Sequence, residues 1–295
     1  MPALRHALGL DLGTSGVKVV LLDADGQLLG EASEPLTVQR PRAGHSEQDP
    51  AQWLAAVDRA VAALRSRTSA AHWRSIGALG IAGQMHGAVL LDAAGRVLRP
   101  PSCGTTAAAW PNVRCSPRVP ALGSIAGNLA MPGFTAPKLL WLQRHEPALF
   151  DRIDKVLLPK DWLRLQLTAE CVSEMSDAAG TLWLDVGRRQ WSAGAAGSGR
   201  THADHMPRLV EGSAVSGHLR PDLAQRWAMG RDVVVVAGAG DNAASAVGSG
   251  PCDQAADFVS LGTSGVLFVT TDRFRPNPAS AVHAFCHAVP HAGTR

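Results

Sequence analysis

An α/β fold that opens on paired antiparallel strands is what this sequence predicts, and three observations carry it. Apolar runs at 7–12 and 17–22 flank Gly13-Thr14-Ser15-Gly16. Residues 50–66 repeat their apolar side chains at helical spacing. Two further apolar runs, 76–83 and 233–236, each end in glycine and polar residues.

The first pair reads as strand–turn–strand, because Gly13 and Gly16 permit tight backbone geometry and β-branched residues follow. Asp23-Ala24-Asp25-Gly26 marks the next turn, and 27–38 continues as strand. Asp49-Pro50 is a helix start, with Trp53, Val57, Val61 and Leu64 on one face. Residues 76–83 and 88–91 read as buried strands, and 137–145, 160–167 and 220–228 as helices. Val233–Val236 is a strand ending in Gly238-Ala239-Gly240-Asp241, and Phe258–Leu261 with Val266–Val269 forms a last hairpin. Antiparallel strands followed by mixed helices and strands differ from the β-α-β opening of a dinucleotide-binding fold. Leu12-Gly13-Thr14-Ser15-Gly16-Val17 returns as Leu261-Gly262-Thr263-Ser264-Gly265-Val266, which marks two copies of one structural unit.

The chain has 295 residues, 46% of them hydrophobic, enough for one large domain or two smaller ones. A net charge of +3 gives no electrostatic case for nucleic acid. Cysteines 103, 115, 171, 252 and 286 form no metal-ligand or redox spacing and read as free thiols of a reducing compartment. With no leader-like start and no apolar run of roughly 20 residues, the expectation is a cytoplasmic protein without a membrane span.

The chemistry-bearing residues gather at strand ends. A hairpin tipped Gly-Thr-Ser-Gly offers N–H groups and hydroxyls in a concave turn that suits phosphate oxygens. Two such hairpins could grip a polyphosphate, although each alone is also an ordinary glycine-rich turn. Asp11 sits just before the first turn, where an acidic group calls for a cation such as Mg²⁺; a turn-capping aspartate is the alternative. Asp241 follows an apolar strand and a glycine turn, which suits either a base accepting a hydroxyl proton or a helix N-cap. Gln84-Met85-His86 emerges after another apolar strand, with His86 structural or substrate-facing.

Together these segments resemble the FGGY carbohydrate kinases of the actin-like, ribonuclease H-like ATPase fold. The resemblance is carried by L-G-L-D-L-G-T-S-G-V-K (8–18), G-I-A-G-Q-M-H-G (80–87), G-N-L-A-M-P-G-F-T-A-P-K-L-L-W (127–141), L-L-P-K-D-W-L-R (157–164), S-D-A-A-G-T-L-W-L-D-V (176–186) and G-A-G-D-N-A-A (238–244). Q-M-H-G and S-E-Q-D-P (46–50) resemble the members that act on xylulose rather than on ribulose, gluconate or glycerol. The resemblance implies a complete first, sugar-binding lobe at 1–237 and the opening of a nucleotide-binding lobe at 238–295. It implies ATP and Mg²⁺ as cofactors, D-xylulose as substrate, and a homodimer in full-length members. By position, Asp241 would be the base and Asp11 the residue near Mg²⁺. Gln84, Met85, His86 and Asn242 would meet the sugar. Gly13, Thr14, Ser15, Lys18, Gly262, Thr263 and Ser264 would line the phosphate channel.

Three departures accompany the resemblance. Residues 101–117 lack the family's W-N-D segment and 193–203 lose its pattern. The chain also ends at Arg295, before the family's adenosine-binding segment. Reading codons for Pro100 onward two bases later returns Ala-Ile-Leu-Trp-Asn-Asp-Gly-Arg, and only the first base of each shifted codon is free. A gene with compensating frameshifts is the expectation. With it go a hairpin whose Phe258, Val259, Val266, Phe268 and Val269 lose cover, and a 295-residue chain that binds sugar at most and is not a competent kinase.

Overall fold

A computed structural model of the chain describes residues 6–103, 119–193, 203–250, 257–261, 265–290 and 293–294. Its centre is a seven-stranded mixed sheet. The sheet is built from β1 (His6–Leu12), β2 (Gly16–Asp23), β3 (Leu28–Pro35), β4 (Ile76–Gly83), β5 (Val215–His218), β6 (Val234–Val236) and β7 (Ala239–Gly240). The strands run in the order β5-β6-β4-β1-β2-β3, with β7 also on β4. Strands β1, β2 and β3 form an antiparallel meander, while β4 runs parallel to β1, β6 and β7.

Alternation decides which face is core. Leu8, Leu10, Leu12, Val17, Val19 and Leu21 are buried, whereas Asp11 and Lys18 on the opposite face reach solvent. The buried face is covered by α1 (Pro50–Ser66), which inserts Trp53, Val57, Val61 and Leu64. That helix starts where its sequence says. The Asp49 carboxylate accepts from the Ala51 N–H, and Pro50 occupies the first turn where no donor is needed. Such a cap is worth about 1 kcal/mol. The same core receives α2 (Pro159–Thr168) through Leu163 and Leu167, and α3 (Pro221–Trp227) through Leu223 and Trp227.

Element positions follow the sequence reading closely, with one shortened strand. The stretch expected at 27–38 pairs only as far as Pro35, which has no N–H to continue a ladder. A second correction concerns the late hairpin, Phe258–Leu261 with Gly265–Phe268. Uncovering is confined to one face, where Val259, Leu261 and Leu267 are exposed. The other face turns inward: Phe268 is buried, stacks on Phe258 at 5.0 Å and meets His287 edge-on. Period-two alternation splits the apolar set that had been expected to lose cover as a whole.

Candidate functional site

Parallel strands deliver their carboxyl ends to one edge, and in open α/β sheets that edge is where ligands bind. In register, Leu12 of β1 lies beside Gly83 of β4, which lies beside Gly240 of β7. Asp11, the Gln84-Met85-His86 turn and Asp241 therefore emerge side by side, although they are far apart in sequence. β7 reaches this place because the chain kinks at Gly238. There φ is +81°, and a Cβ would fall 1.8 Å from the Ile81 carbonyl oxygen, so only glycine fits.

Asp11 faces solvent at the rim, opposite Lys18 in the ladder. Partial burial by surrounding protein raises its carboxyl pKa, and Lys18 offsets part of that rise. Lys18 itself is exposed and paired with Glu31 at 2.6 Å. Asp241 opens α4 (Asp241–Gly248). Its carboxylate accepts from the Asn242 N–H at 2.7 Å and the Asn242 amide at 3.0 Å. Burial raises its pKa, the Asn242 backbone bond opposes, and the charge of Asp11 adds to the rise. Asp241 thus senses the charge of Asp11, a repulsion that a divalent cation would relieve.

The Gly13–Gly16 turn is closed by a bond from the Gly13 N–H to the Gly16 carbonyl. Thr14 donates to Gln84 Oε1 at 2.9 Å, Gln84 donates to Gln48 at 2.9 Å, and Gln48 donates to the Thr14 carbonyl at 2.8 Å. The Gln84 side chain is therefore spent on holding the turn. Ser15 is exposed at the tip. Gly262, Thr263 and Ser264 of the second turn lie outside the described residues.

Met85 packs on Gly240, where a Cβ would stand 3.0 Å from its Cγ and Sδ. His86 adopts φ +70° and is clamped from both sides. Its Nδ1 lies 2.9 Å from the Gly180 carbonyl, an acceptor, so Nδ1 carries the proton and Nε2 is left as the acceptor. Its ring meets Phe134 edge-on at 4.5 Å. Its carbonyl accepts from Lys138 at 2.7 Å and Thr135 at 3.2 Å, both on α5 (Thr135–His145). Burial pushes the imidazole down to about 4, and it pushes the Lys138 ammonium down to about 7. Among the described residues Lys138 has no carboxylate partner. A cavity of about 770 Å³ opens here, lined by Met85, His86, Phe134, Ser176, Asn242 and Phe285 among others. A second, of about 650 Å³, lies across Asp11, Lys18, Val20 and Ala244. Asn242 lines the first cavity and Ala244 the second, while Asp241 itself lines neither.

Beneath the floor lies a cluster that sequence reasoning missed. Lys160, Asp161, Arg164, Glu174 and Asp177 are all fully buried. The Lys160 amine is 3.0 Å from Asp161, 3.3 Å from Glu174 and 3.6 Å from Asp177. Asp161 also accepts from Arg164 and Ser173, and Glu174 from Ser176 and the Asp177 N–H. Asp177 alone receives no hydrogen bond. Two cations balance two carboxylates, and burial holds the third carboxyl, Asp177, well above the usual range. One sequence signal was available. Lysine is rare in this arginine-rich chain, and two of its positions, 138 and 160, are buried.

Comparison with known proteins bears on family and fold. Residues 6–248 match the profile of the N-terminal domain of the FGGY family of carbohydrate kinases. A xylulose kinase of Escherichia coli K12 is 54% identical over 290 residues, which are 96% of this chain and 58% of the relative. The chain thus spans a little over half the length of that relative. A crystal structure of a xyloylose kinase from Brucella ovis superposes with a TM-score of 0.93 at 50% identity, covering 98% of this chain and 60% of that one. A gluconate kinase from Lactobacillus acidophilus shares the fold, at a TM-score of 0.90 and 21% identity over 99% of this chain and 59% of its own.

Proposed function

Because the chain belongs to the FGGY family of carbohydrate kinases, we propose that its cleft serves ATP-dependent phosphorylation of D-xylulose to D-xylulose 5-phosphate. The observation that carries the reading is the shared carboxyl edge of β1, β4 and β7, which gathers Asp11, Met85–His86 and Asp241. The cavity beside Met85 and His86 has the volume of a small-molecule site and space for a pentulose. His86 Nε2, kept unprotonated at neutral pH, would accept from a sugar hydroxyl. The Asn242 amide would help orient the chain end against Asp241.

Asp241 would take the proton from the attacking terminal hydroxyl. Burial raises its pKa, which makes it a stronger base than a free carboxylate, and Asn242's two donors oppose that rise. The exposed Ser15 hydroxyl and the backbone of the Thr14–Ser15 turn would hold phosphate oxygens, as would Gly262-Thr263-Ser264 of the second. Asp11 would hold Mg²⁺ directly or through water, since its exposed oxygens suit a hard cation. ATP with Mg²⁺ would supply the transferable phosphoryl group and neutralise its charge. The division into a sugar lobe at 1–237 and the opening of a nucleotide lobe at 238–295 belongs to the same proposal, as does a cytoplasmic location.

The test is ADP release coupled to a panel of D-xylulose, D-ribulose, gluconate and glycerol, with calorimetric binding of each sugar beside it. D-xylulose should bind tightest and be the acceptor wherever turnover is seen. Preference for another member of the panel would replace the substrate, and no binding of any would remove the reading.

A further inference from the structure

We propose that Ser176 is a positioning residue for the Asp241 base, fixing the strand end that carries it to the buried charge cluster. The inference rests on Asp241 acting as the base.

Ser176 belongs to the short helix Met175–Ala179, and its hydroxyl is fully committed. It donates to the Glu174 carboxylate, at 2.9 and 3.0 Å from the two oxygens, and it accepts from the Gly240 N–H at 3.0 Å. Gly240 immediately precedes Asp241 and caps its helix without any side chain of its own. The N–H of that residue would otherwise be a buried donor with nothing to meet. Glu174 is in turn fixed by the Ser176 and Asp177 N–H groups and faces Lys160 at 3.3 Å. A continuous path therefore runs from a wholly buried ammonium, through a carboxylate and a hydroxyl, to the amide next to the base. Every bond in it is made by a side chain with essentially no exposure.

The opposite side of Gly240 is held by Met85, whose Cγ and Sδ a Cβ at Gly240 would approach to 3.0 Å. The turn bearing Asp241 is thus pinned between Met85 at the cavity wall and Ser176 at its floor, and Ser176 itself lines the cavity alongside Asn242. Fixing this amide sets where Asp241 stands relative to a sugar lodged against Met85. The titratable groups facing Asp241 are Asp11 from β1, whose charge raises the Asp241 pKa, and Asp177 from the same short helix as Ser176, itself raised by burial.

The test compares Ser176→Ala and Ser176→Thr with the parent chain. Ser176→Ala should speed hydrogen exchange at the Gly240 amide about ten-fold, as expected for one lost buried bond. It should also move the Asp241 carboxyl titration read by NMR. D-xylulose-dependent kcat should fall at least about ten-fold with KM little changed, the signature of a group felt mainly in the transition state. Ser176→Thr, which keeps the hydroxyl, should restore all three. Unchanged Gly240 exchange and an unmoved Asp241 titration in Ser176→Ala would overturn the proposal, as would a loss that Ser176→Thr does not rescue. If the parent shows no turnover, exchange and titration alone decide whether Ser176 holds the turn.

Discussion

Replacing Asp177 by asparagine isolates the odd carboxyl of the buried cluster. Asparagine keeps the shape of a protonated aspartate and leaves an oxygen to face Lys160, 3.6 Å away, so little packing is lost. What changes is the ionisation. A carboxyl whose folded pKa is raised binds its proton in the native state over a pH range where the unfolded chain has released it. Stability then falls as pH rises, from about pH 4 up to the raised value, at about 1.4 kcal/mol per pH unit. The variant lacks this slope. Asp11 and Asp241, also raised by burial, tilt stability in the same direction in both proteins and cancel in the comparison. Urea unfolding at pH 5, 6, 7 and 8 reads the difference directly. Asp177→Asn should match the parent near pH 4 and exceed it by a margin that grows as pH rises toward neutral. Parallel curves for the two proteins would refute the reasoning, since Asp177 would then ionise alike folded and unfolded.

Three other outcomes follow from the same geometry. His86 should titrate near pH 4 by NMR, well below an ordinary imidazole. Its depressed pKa contributes stability that is lost as pH falls from the usual histidine range toward 4, and His86→Gln should remove that loss. Gly238→Ala should cost roughly 2–5 kcal/mol by thermal or urea unfolding, from left-handed strain plus backbone overlap, whereas Gly248→Ala, with open space around it, should be nearly neutral. In a frame-corrected, full-length form, Asp241→Asn should lower kcat at least about 100-fold while D-xylulose binding changes little, and wild-type turnover would remove Asp241 as the base.

Strand ends and helix α1 were legible because apolar period and glycine placement report directly on which backbone is extended, helical or turned. Asp11 and Asp241 could be singled out for that reason alone: each is the polar residue that ends an apolar run. Their neighbourhood was not legible, since parallel register between β1, β4 and β7 is a tertiary property. Ser176, Lys138 and Asp177 stood only within segments carrying the resemblance; their burial was not legible, because periodicity marks apolar burial and says nothing of which polar side chains go inside with it. Gln84 shows the converse. Its place after β4 suggested a substrate contact, but its amide closes a circuit with Thr14 and Gln48 that no local pattern reveals. His86 at φ +70° is held there by Lys138 and Thr135, partners some fifty residues away.

The central claim is that the cavity beside Met85 and His86 is a D-xylulose site, and calorimetric titration of the sugar into this chain tests it most directly. Saturable one-to-one binding is expected, tighter than for D-ribulose, gluconate or glycerol. His86→Ala should weaken it at least about ten-fold through the lost Nε2 acceptor and the lost ring contact, while Asp177→Asn should leave it unchanged. Binding of D-xylulose no tighter than that of glycerol, or affinity indifferent to His86→Ala, would contradict the account.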